Sequence, residues 1–290
     1  MVEEEEFTLP DGDFVELVWQ NKKPNDTRPI VVIFHGLAGS VASPYVIGLM
    51  KALEKKEFSS VLMHFRGCGR RPNLKSRAYH SGDTADAKVF IEHLHKSYPS
   101  SQLHAVGFSI GGNMLLKLLG EWGEKSLLQS AVSVSAPLDL AICADTIEKG
   151  FSRNYQNYLL EPLKKSLLQK YEQFDMELLL NISRKEVENI KTIREFDEKY
   201  TAKMHGFKSS EEYYKKCSAK QFLKDIKTST LIIHALDDPF MTPEILPKGD
   251  EISKFVILEV SQHGGHVGFV EGVFRNLNYW LDSKISNFLC

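Results

Sequence analysis

The stretch Leu103-His104-Ala105-Val106-Gly107-Phe108-Ser109-Ile110-Gly111-Gly112 joins an apolar run typical of a buried strand to the start of an apolar run typical of a helix. Its centre matches the pattern Gly-x-Ser-x-Gly, in which the serine occupies a sharp turn between strand and helix. The pattern alone occurs by chance in about one chain of this length in ten. Its position between a strand and a helix therefore supports the prediction that Ser109 is a nucleophile.

Strand-like and helix-like segments alternate on both sides of this turn. Continuous apolar runs, typical of strands buried on both faces of a parallel sheet, occupy residues 30–34, 61–65, 103–108, 131–135, 231–234 and 255–258. Residues 7–20 predict two more strands around the turn Pro10-Asp11-Gly12. Helical spacing predicts helices at 45–56, 83–94 and 110–119, the last ended by Gly120, and a final helix through Phe269, Val273, Leu277, Trp280 and Ile285. This alternation predicts an α/β fold with a doubly wound, mostly parallel sheet.

The alternation of strand-like and helix-like segments stops between residues 138 and 224, where no buried-strand run occurs. Residues 158–171 and 176–182 of this segment show helical spacing. We predict a helical cap, or lid, at 138–224, inserted into a core formed by 1–137 and 225–290. Because it follows the sixth strand, the cap is expected over the sheet edge that holds Ser109. Four aromatic residues either line an acyl or alcohol pocket or, as we favour for most of them, form the cap's own core: Phe151, Tyr155, Tyr158 and Phe174.

Acyl transfer also needs two N–H donors directed at the oxygen that becomes negative. The residue after the nucleophile, Ile110, supplies one donor in this kind of turn. The other is expected from the loop His35-Gly36-Leu37-Ala38-Gly39, which follows the strand-like run at 30–34. We predict the backbone N–H of Leu37 as that donor, and we expect His35 to be structural.

The acid and the base are predicted from their order in α/β-hydrolases, which is serine, acid, histidine. Asp237 and Asp238 both follow the run at 231–234, and Asp238 is preferred because the next residue is a proline, which makes its backbone extended. The loop after the last strand offers His263 and His266, and His266 is preferred. No cluster of carboxylates or thiolates accompanies these histidines, so we expect neither a metal ion nor another cofactor.

Composition excludes several functional classes. The 36 Lys and Arg residues nearly balance the 38 Asp and Glu residues, which gives a net charge of -2 and no basic surface for nucleic acid. No run of about 18 apolar residues predicts a transmembrane segment, and the acidic start is unlike a secretory signal. The four cysteines form no C-x-x-C pair, so neither a disulfide framework nor a zinc ribbon is indicated. We therefore expect a reduced, cytoplasmic setting.

Short motifs shared with a known family reach from the first third of the chain to its end. They are His35-Gly36-Leu37-Ala38-Gly39-Ser40, Ser43-Pro44-Tyr45, Phe65-Arg66-Gly67-Cys68, Pro72-Asn73, Tyr79-His80-Ser81-Gly82, Gly107-Phe108-Ser109-Ile110-Gly111-Gly112-Asn113, Leu119-Gly120-Glu121, Asp237-Asp238-Pro239-Phe240 and Gly264-Gly265-His266-Val267-Gly268-Phe269. On these motifs the sequence resembles the YheT-like α/β-hydrolases, a family regarded as esterases that has bacterial members and membrane-anchored eukaryotic relatives.

The resemblance implies an α/β-hydrolase fold with Ser109 as nucleophile, Asp238 as acid and His266 as base. It also implies carboxylesterase activity, usually on short acyl chains. The sequence departs from the family pattern at Arg70 and Arg71, which add positive charge to a loop beside the site. The segment 138–224 contributes none of the shared motifs, which makes substrate preference the least transferable property.

The predicted function is that of a serine carboxylesterase, which hydrolyses small-molecule or lipid esters through an acyl-Ser109 intermediate. An acyltransferase or a lipid-directed hydrolase would use the same three residues, and a non-catalytic binding protein on this fold is the alternative from another class. Dehalogenase and epoxide-hydrolase chemistry is disfavoured, since those enzymes need a carboxylate in place of Ser109. For Arg66 and His80 we favour structural roles, as hydrogen-bond partners within loops.

Overall fold

One mixed sheet lies at the centre of the molecule. The computed structural model describes residues 2–20, 23–24, 27–273 and 276–290. The sheet strands are β1 (Val2–Thr8), β2 (Phe14–Gln20), β3 (Ile30–Phe34), β4 (Ser59–Met63), β5 (Leu103–Phe108), β6 (Ser130–Val134), β7 (Ser229–Ala235) and β8 (Val256–Ser261). Within the described residues these eight form one sheet in the order β1-β2-β4-β3-β5-β6-β7-β8.

The pairing of the strands determines which loops meet. Strand β2 is antiparallel to both β1 and β4, whereas β4, β3, β5, β6, β7 and β8 are parallel. In the parallel part, Phe34 at the end of β3 pairs with Gly107 near the end of β5. The loop that follows Phe34 therefore begins beside Ser109, which follows β5.

Helices cover both faces of this sheet. Their bounds are α1 (Pro44–Lys55), α2 (Ala85–Ser97), α3 (Ile110–Trp122), α4 (Leu140–Ile147), α5 (Ser152–Lys170), α6 (Met176–Leu180), α7 (Arg184–Glu188), α8 (Ile193–Phe196), α9 (Ala202–Met204), α10 (Ser210–Cys217) and α11 (Trp280–Leu289). In β3, Ile30, Val32 and Phe34 pack in a cluster with α2 and α3, and Val31 and Ile33 pack in a second cluster with α1 and α11. Alternate side chains thus enter opposite cores, which confirms the predicted doubly wound α/β fold.

The segment 138–224 contains the helices α4 to α10 and, between residues 140 and 222, no strand in this fully described part of the chain. Apolar side chains from α5 to α8 and their loops form a separate cluster: Leu160, Leu167, Met176, Leu180, Ile182, Val187, Ile190, Phe196 and Tyr200. Ala219 and Leu223, near the end of the segment, pack in the main core instead. We keep 138–224 as the proposed extent of the cap. No helix in the described ranges is long and apolar enough to cross a membrane.

Several predicted helix boundaries are wrong. The helix predicted at 83–94 is observed at Ala85–Ser97, and the spacing at 158–171 belongs to α5, which begins at Ser152. The final helix begins at Trp280, not near Phe269, and the short strands β9 (Val270–Val273) and β10 (Asn276–Tyr279) precede it. Helix α3 continues past Gly120 to Trp122. A side chain at position 120 would lie 2.6 Å from the backbone oxygen of Phe222, so this glycine permits close packing and does not end the helix.

The role of Arg66 is resolved by a buried ionic cluster. Its guanidinium donates two hydrogen bonds to Asp86, of 2.6 and 2.7 Å, and one each to Asp11 at 2.7 Å and Asp13 at 2.9 Å. Burial acts to lower the pKa of Arg66, but the bonds to Asp86 and Asp11 outweigh it and raise that pKa. Arg66 thereby ties the β1–β2 turn to the first turn of α2, which supports its predicted structural role.

The same cluster extends to the cap. Asn73 donates to Asp13 at 2.7 Å, and Lys170 at the end of α5 donates to Asn73 at 2.8 Å and to the carbonyl of Lys75 at 2.7 Å. Lys170 is buried, and burial lowers its pKa to about 8. The longest helix of the segment 138–224 is therefore anchored by hydrogen bonds to the loop that follows β4.

Replacing Arg66 by leucine is expected to lower the free energy of unfolding by about 3–5 kcal/mol, because it leaves the buried carboxylates of Asp13 and Asp86 without their cation. The measurement is urea unfolding followed by circular dichroism. The matched control is Arg70→Leu, since the Arg70 side chain is 74% exposed and its ion pair with Glu4 is expected to contribute less than ~1 kcal/mol. Equal losses in the two variants would contradict this account.

Candidate active site

Ser109 lies at the junction of β5 and α3 in a conformation that side-chain-bearing residues rarely adopt, with φ 52° and ψ -120°. Its N–H donates to the carbonyl of Val134 at 2.8 Å, and its carbonyl accepts the N–H of Asn113 at 3.0 Å, the bond that begins the helix. Strain of this kind costs about 1–3 kcal/mol and persists only where the surrounding structure enforces it.

The glycines of the motif allow this turn to form. A Cβ atom on Gly107 would lie 2.4 Å from the carbonyl oxygen of Gly111. A Cβ atom on Gly111 would lie 2.6 Å from the carbonyl oxygens of both Phe34 and His35. Strand β5, strand β3 and helix α3 can therefore approach each other this closely only with glycine at these positions.

The loop after β3 lies directly beside Ser109. A Cβ atom placed on Gly36 would be 3.4 Å from the Cβ atom of Ser109. Two tyrosine hydroxyls hold this loop: Tyr45 accepts the N–H of Gly36 and Tyr79 accepts the N–H of Ala38, both at 3.0 Å.

The N–H of Leu37 lies between these two anchored groups. Across the described ranges, neither this N–H nor that of Ile110 donates to a protein acceptor. Both predicted donors are therefore unoccupied; one lies on the loop after β3 and the other on the first residue of α3, next to Ser109.

His35 holds the loop after β3 by hydrogen bonds, which fits its predicted structural role. Its Nε2 accepts the N–H of Phe65 at 3.1 Å, so Nδ1 holds the proton and donates to the carbonyl of Gly36 at 2.6 Å. The ring is fully buried, and burial lowers the pKa of His35 to about 3. A neutral, doubly bonded imidazole of this kind is a structural group.

His266 and Asp238 form a hydrogen-bonded pair between the loops after β7 and β8. Nδ1 of His266 lies 2.8 Å from Oδ2 of Asp238, and the N–H of Phe240 donates to the other carboxylate oxygen at 2.9 Å. The Asp238 side chain has no exposed surface, whereas 15% of the His266 side chain is exposed. Since an ionised carboxylate can only accept, the pair places the proton of a neutral His266 on Nδ1 and leaves a lone pair on Nε2.

The alternative candidates, Asp237 and His263, form a separate pair on the outside. His263 is 90% exposed, and its Nδ1 lies 3.3 Å from Oδ2 of Asp237. Asp237 also accepts the N–H of Gly265 at 2.8 Å, and this bond is the main cause of its lowered pKa. Asp237 thus anchors the glycine-containing loop that presents His266, a role that the sequence pattern did not reveal.

One cavity brings the predicted residues together. Leu37, Ser109, Ile110 and His266 all line it, and Asp238 lies behind His266. The space open to water-sized molecules measures about 130 Å³. Most of the remaining wall is apolar and comes from the segment 138–224, mainly from Leu140, Ala144, Ile147, Leu159, Leu163, Ile193 and Phe196.

The favoured prediction, that most of the four named aromatic residues form the cap's own core, is wrong for three of them, and none of the four lines the cavity. Phe151 and Tyr158 are 74% and 78% exposed, and Tyr155 is 39% exposed. Phe174, alone of the four, packs partly buried against the separate apolar cluster of the cap. The aromatic side chain nearest the base is instead Phe240, whose ring centroid lies 4.2 Å from that of His266. Its position directly after Asp238-Pro239 was a signal that sequence reasoning could have used.

His80, which lines the cavity, belongs to a polar cluster. Donor atoms of His80, Asp83 and His205 all lie within 4.8 Å of one another, a spacing that a metal ion could use. However, the N–H of Gly82 donates to Nδ1 of His80 at 3.2 Å, and the guanidinium of Arg77 pairs with Asp83. Nδ1 of His80 and the carboxylate of Asp83 therefore already have protein partners, whereas the buried Nε2 of His205 has none among the described residues.

Comparison with known proteins agrees with this architecture. A sequence model described as the alpha/beta hydrolase fold matches residues 29–273. The protein named "Putative esterase YheT" from Escherichia coli (strain K12) is 44% identical over 282 residues, which cover 97% of this chain and 82% of that protein. "Phospholipase ABHD3" from Bos taurus is 29% identical over 286 residues, covering 96% of this chain and 69% of that protein. The structure of the Pyrococcus furiosus esterase Pf2001 matches with a TM-score of 0.61 at 16% identity, covering 100% of this chain and 92% of that one.

The chain therefore belongs to the α/β-hydrolase fold family, and it is a hydrolase. Within the family, the 44% sequence identity between this chain and the Escherichia coli protein YheT confirms the resemblance drawn from the short motifs.

Proposed function

We propose that this protein is a serine carboxylesterase in which Ser109, His266 and Asp238 form a catalytic triad. The observation that supports it most is the common cavity: a strained serine, a histidine paired with a buried carboxylate, and two unoccupied N–H groups all border the same space. Nucleophile, base, orienting acid and oxyanion donors are the groups that acyl transfer requires.

The proposed reaction begins when Oγ of Ser109 attacks the ester carbonyl carbon and its proton passes to Nε2 of His266. The N–H groups of Leu37 and Ile110 stabilise the resulting oxyanion. His266 then protonates the leaving alcohol, and the acyl group remains on Ser109. His266 then takes a proton from a water molecule, whose oxygen attacks the acyl carbon. The bond from that carbon to Oγ of Ser109 breaks as His266 returns the proton to Oγ, and the carboxylic acid is released. Asp238 holds the ring orientation and stabilises the imidazolium in both steps.

The size of the cavity favours short acyl chains. A volume of about 130 Å³ is well below the roughly 300–1,000 Å³ of pockets that enclose drug-sized ligands. The aliphatic walls suit a hydrocarbon chain, and the names of two relatives, a phospholipase and the yeast "Monoacylglycerol lipase", are those of enzymes that act on acyl esters. We also propose a cytoplasmic setting, which four free cysteines fit.

Fluorophosphonate labelling tests the nucleophile. We expect the wild-type protein to be labelled and Ser109→Ala to remain unlabelled, because the probe reacts with an activated serine hydroxyl. The matched control is Ser135→Ala, which removes a second serine of positive φ that is buried and lies outside the cavity. Labelling that persists in Ser109→Ala would exclude Ser109 as nucleophile, and an unlabelled wild-type protein would favour a binding protein over an enzyme.

The two neighbouring aspartates are expected to differ in their effect on turnover. Asp238→Asn should lower kcat by a factor on the order of 10⁴, since an amide can hold the wrong tautomer of the base. Asp237→Asn should have a far smaller effect, because Asp237 contacts the loop and not His266. The measurement is steady-state hydrolysis of p-nitrophenyl butyrate. A larger loss in Asp237→Asn would reassign the acid.

A series of p-nitrophenyl esters from acetate to palmitate tests the chain-length prediction. We expect kcat/KM to be highest for short chains and to fall once the chain exceeds the aliphatic cavity. Leu163→Ala, which enlarges that cavity, should move the optimum to longer chains. Leu178→Ala is the matched control, since Leu178 is 79% exposed and lies outside the cavity. The opposite order of chain lengths in the wild-type protein would favour a lipid-directed hydrolase.

A further inference from the structure

The cavity that contains Ser109 has a polar wall that the proposed reaction does not use. Asp197, Thr201 and Tyr214 line it together with His80, whereas the neighbouring walls are aliphatic. A chain of contacts connects Asp197 to His80: the Tyr214 hydroxyl bonds to Asp197, and the ring of Tyr213 lies 5.2 Å from the Tyr214 ring and 5.3 Å from the His80 ring, between centroids.

An unusual backbone turn places two of these groups on the cavity. Residues Asp197–Thr201 form a π-helical turn between α8 and α9. Such turns are rare and occur frequently at functional sites, since the extra residue costs regular hydrogen bonding. Here both the first and the last residue of the turn, Asp197 and Thr201, border the cavity.

Asp197 forms no direct ion pair with any residue that the structure describes, and it is held by hydrogen bonds instead. The hydroxyl of Tyr214 donates to its Oδ2 at 2.8 Å, and burial raises the pKa of Asp197 to about 6, partly offset by hydrogen bonds from Thr201 and Tyr214. The nearby guanidinium of Arg194 bonds instead to Asp145 and Glu211. With two partners for about four lone-pair positions, the carboxylate retains capacity to accept a further hydrogen bond.

His80 supplies a donor on the same wall. The N–H of Gly82 donates to Nδ1, which places the proton of the neutral ring on Nε2. Burial lowers the pKa of His80 well below its ordinary value, so the ring is neutral. The wall thus combines an acceptor, Asp197, with an N–H donor, His80.

We propose that this wall is a subsite that binds a hydroxyl group of the ester substrate, with Asp197 accepting its hydrogen bond and His80 donating to its oxygen. A hydroxyl group donates and accepts at once, whereas an ammonium group only donates and would leave the His80 N–H unpaired. The inference rests on the proposed esterase function and names its substrate class: esters that bear a hydroxyl group on the acyl or the alcohol part.

The test compares esters that differ only in hydroxyl groups. One pair is p-nitrophenyl butyrate and p-nitrophenyl 3-hydroxybutyrate, and the other is propyl butyrate and 2,3-dihydroxypropyl butyrate. Because a hydrogen bond to a charged group is strong, we expect wild-type kcat/KM to favour the hydroxylated member of at least one pair by about 10-fold or more.

The variant Asp197→Leu should reduce this ratio towards one. This single variant leaves the Tyr214 hydroxyl without its acceptor, which could destabilise the fold. The double variant Asp197→Leu/Tyr214→Phe removes both the donor and the acceptor of that hydrogen bond. Thermal unfolding of both variants would reveal misfolding. The control Glu188→Leu changes an exposed carboxylate of the same segment and should keep the wild-type ratio.

Two outcomes would overturn the subsite: a wild-type ratio near one in both pairs, or a preference that survives in the double variant. Failure of the esterase proposal gives a different result: the wild-type protein would neither hydrolyse the plain esters nor be labelled at Ser109. That result would overturn the subsite together with the function on which it rests.

Discussion

The close approach of β3, β5 and α3 is the constraint on which the rest of the site depends. Without side chains at Gly107 and Gly111, the carbonyls of β3 reach within contact distance of the first turn of α3. At this junction Ser109 has a positive φ and borders the cavity. The same contact brings the N–H groups of Leu37 and Ile110 to the serine from two different elements. A larger residue at either glycine would therefore disturb the nucleophile and both donors together.

The parallel sheet extends this local constraint to groups far apart in the sequence. Strands β7 and β8 end at the same edge as β5, so their loops can present Asp238 and His266 over Ser109. Asp237 acts within that arrangement by bonding to the backbone of Gly265. Two adjacent carboxylates thus have different surroundings: one is buried and bonded to a ring, and the other is exposed and bonded to a loop. The two aspartates have the same side chain, so their different roles arise from their positions in the loop after β7.

These comparisons show what the sequence could and could not predict. The Gly-x-Ser-x-Gly turn and the strands depend on local patterns, and they are found close to the predicted positions. The prediction that residues 255–258 form a strand buried on both faces is wrong, because β8 lies at the sheet edge and is at least partly exposed along most of its length. The final helix was predicted too early because residues 269–279 show helical spacing, although 270–273 pair with 276–279 as strands. Gly120 was interpreted as a helix end because its contact with Phe222 comes from a distant segment. The cavity wall could not be predicted, since the packing of α4, α5 and α8 decides which aliphatic residues face Ser109.

The free-energy cost of burying a carboxylate bears on the role of the polar wall. A buried carboxylate is costly, and well-packed apolar residues of similar volume often stabilise a fold at least as well as a buried ionic group. Arg66 compensates Asp13 and Asp86 with a direct cation, as a structural cluster requires. Asp197 has only hydroxyl partners, lies on a π-helical turn and borders a cavity. A carboxylate kept in this way at the wall of a binding space contributes more to recognition of a substrate than to stability of the fold.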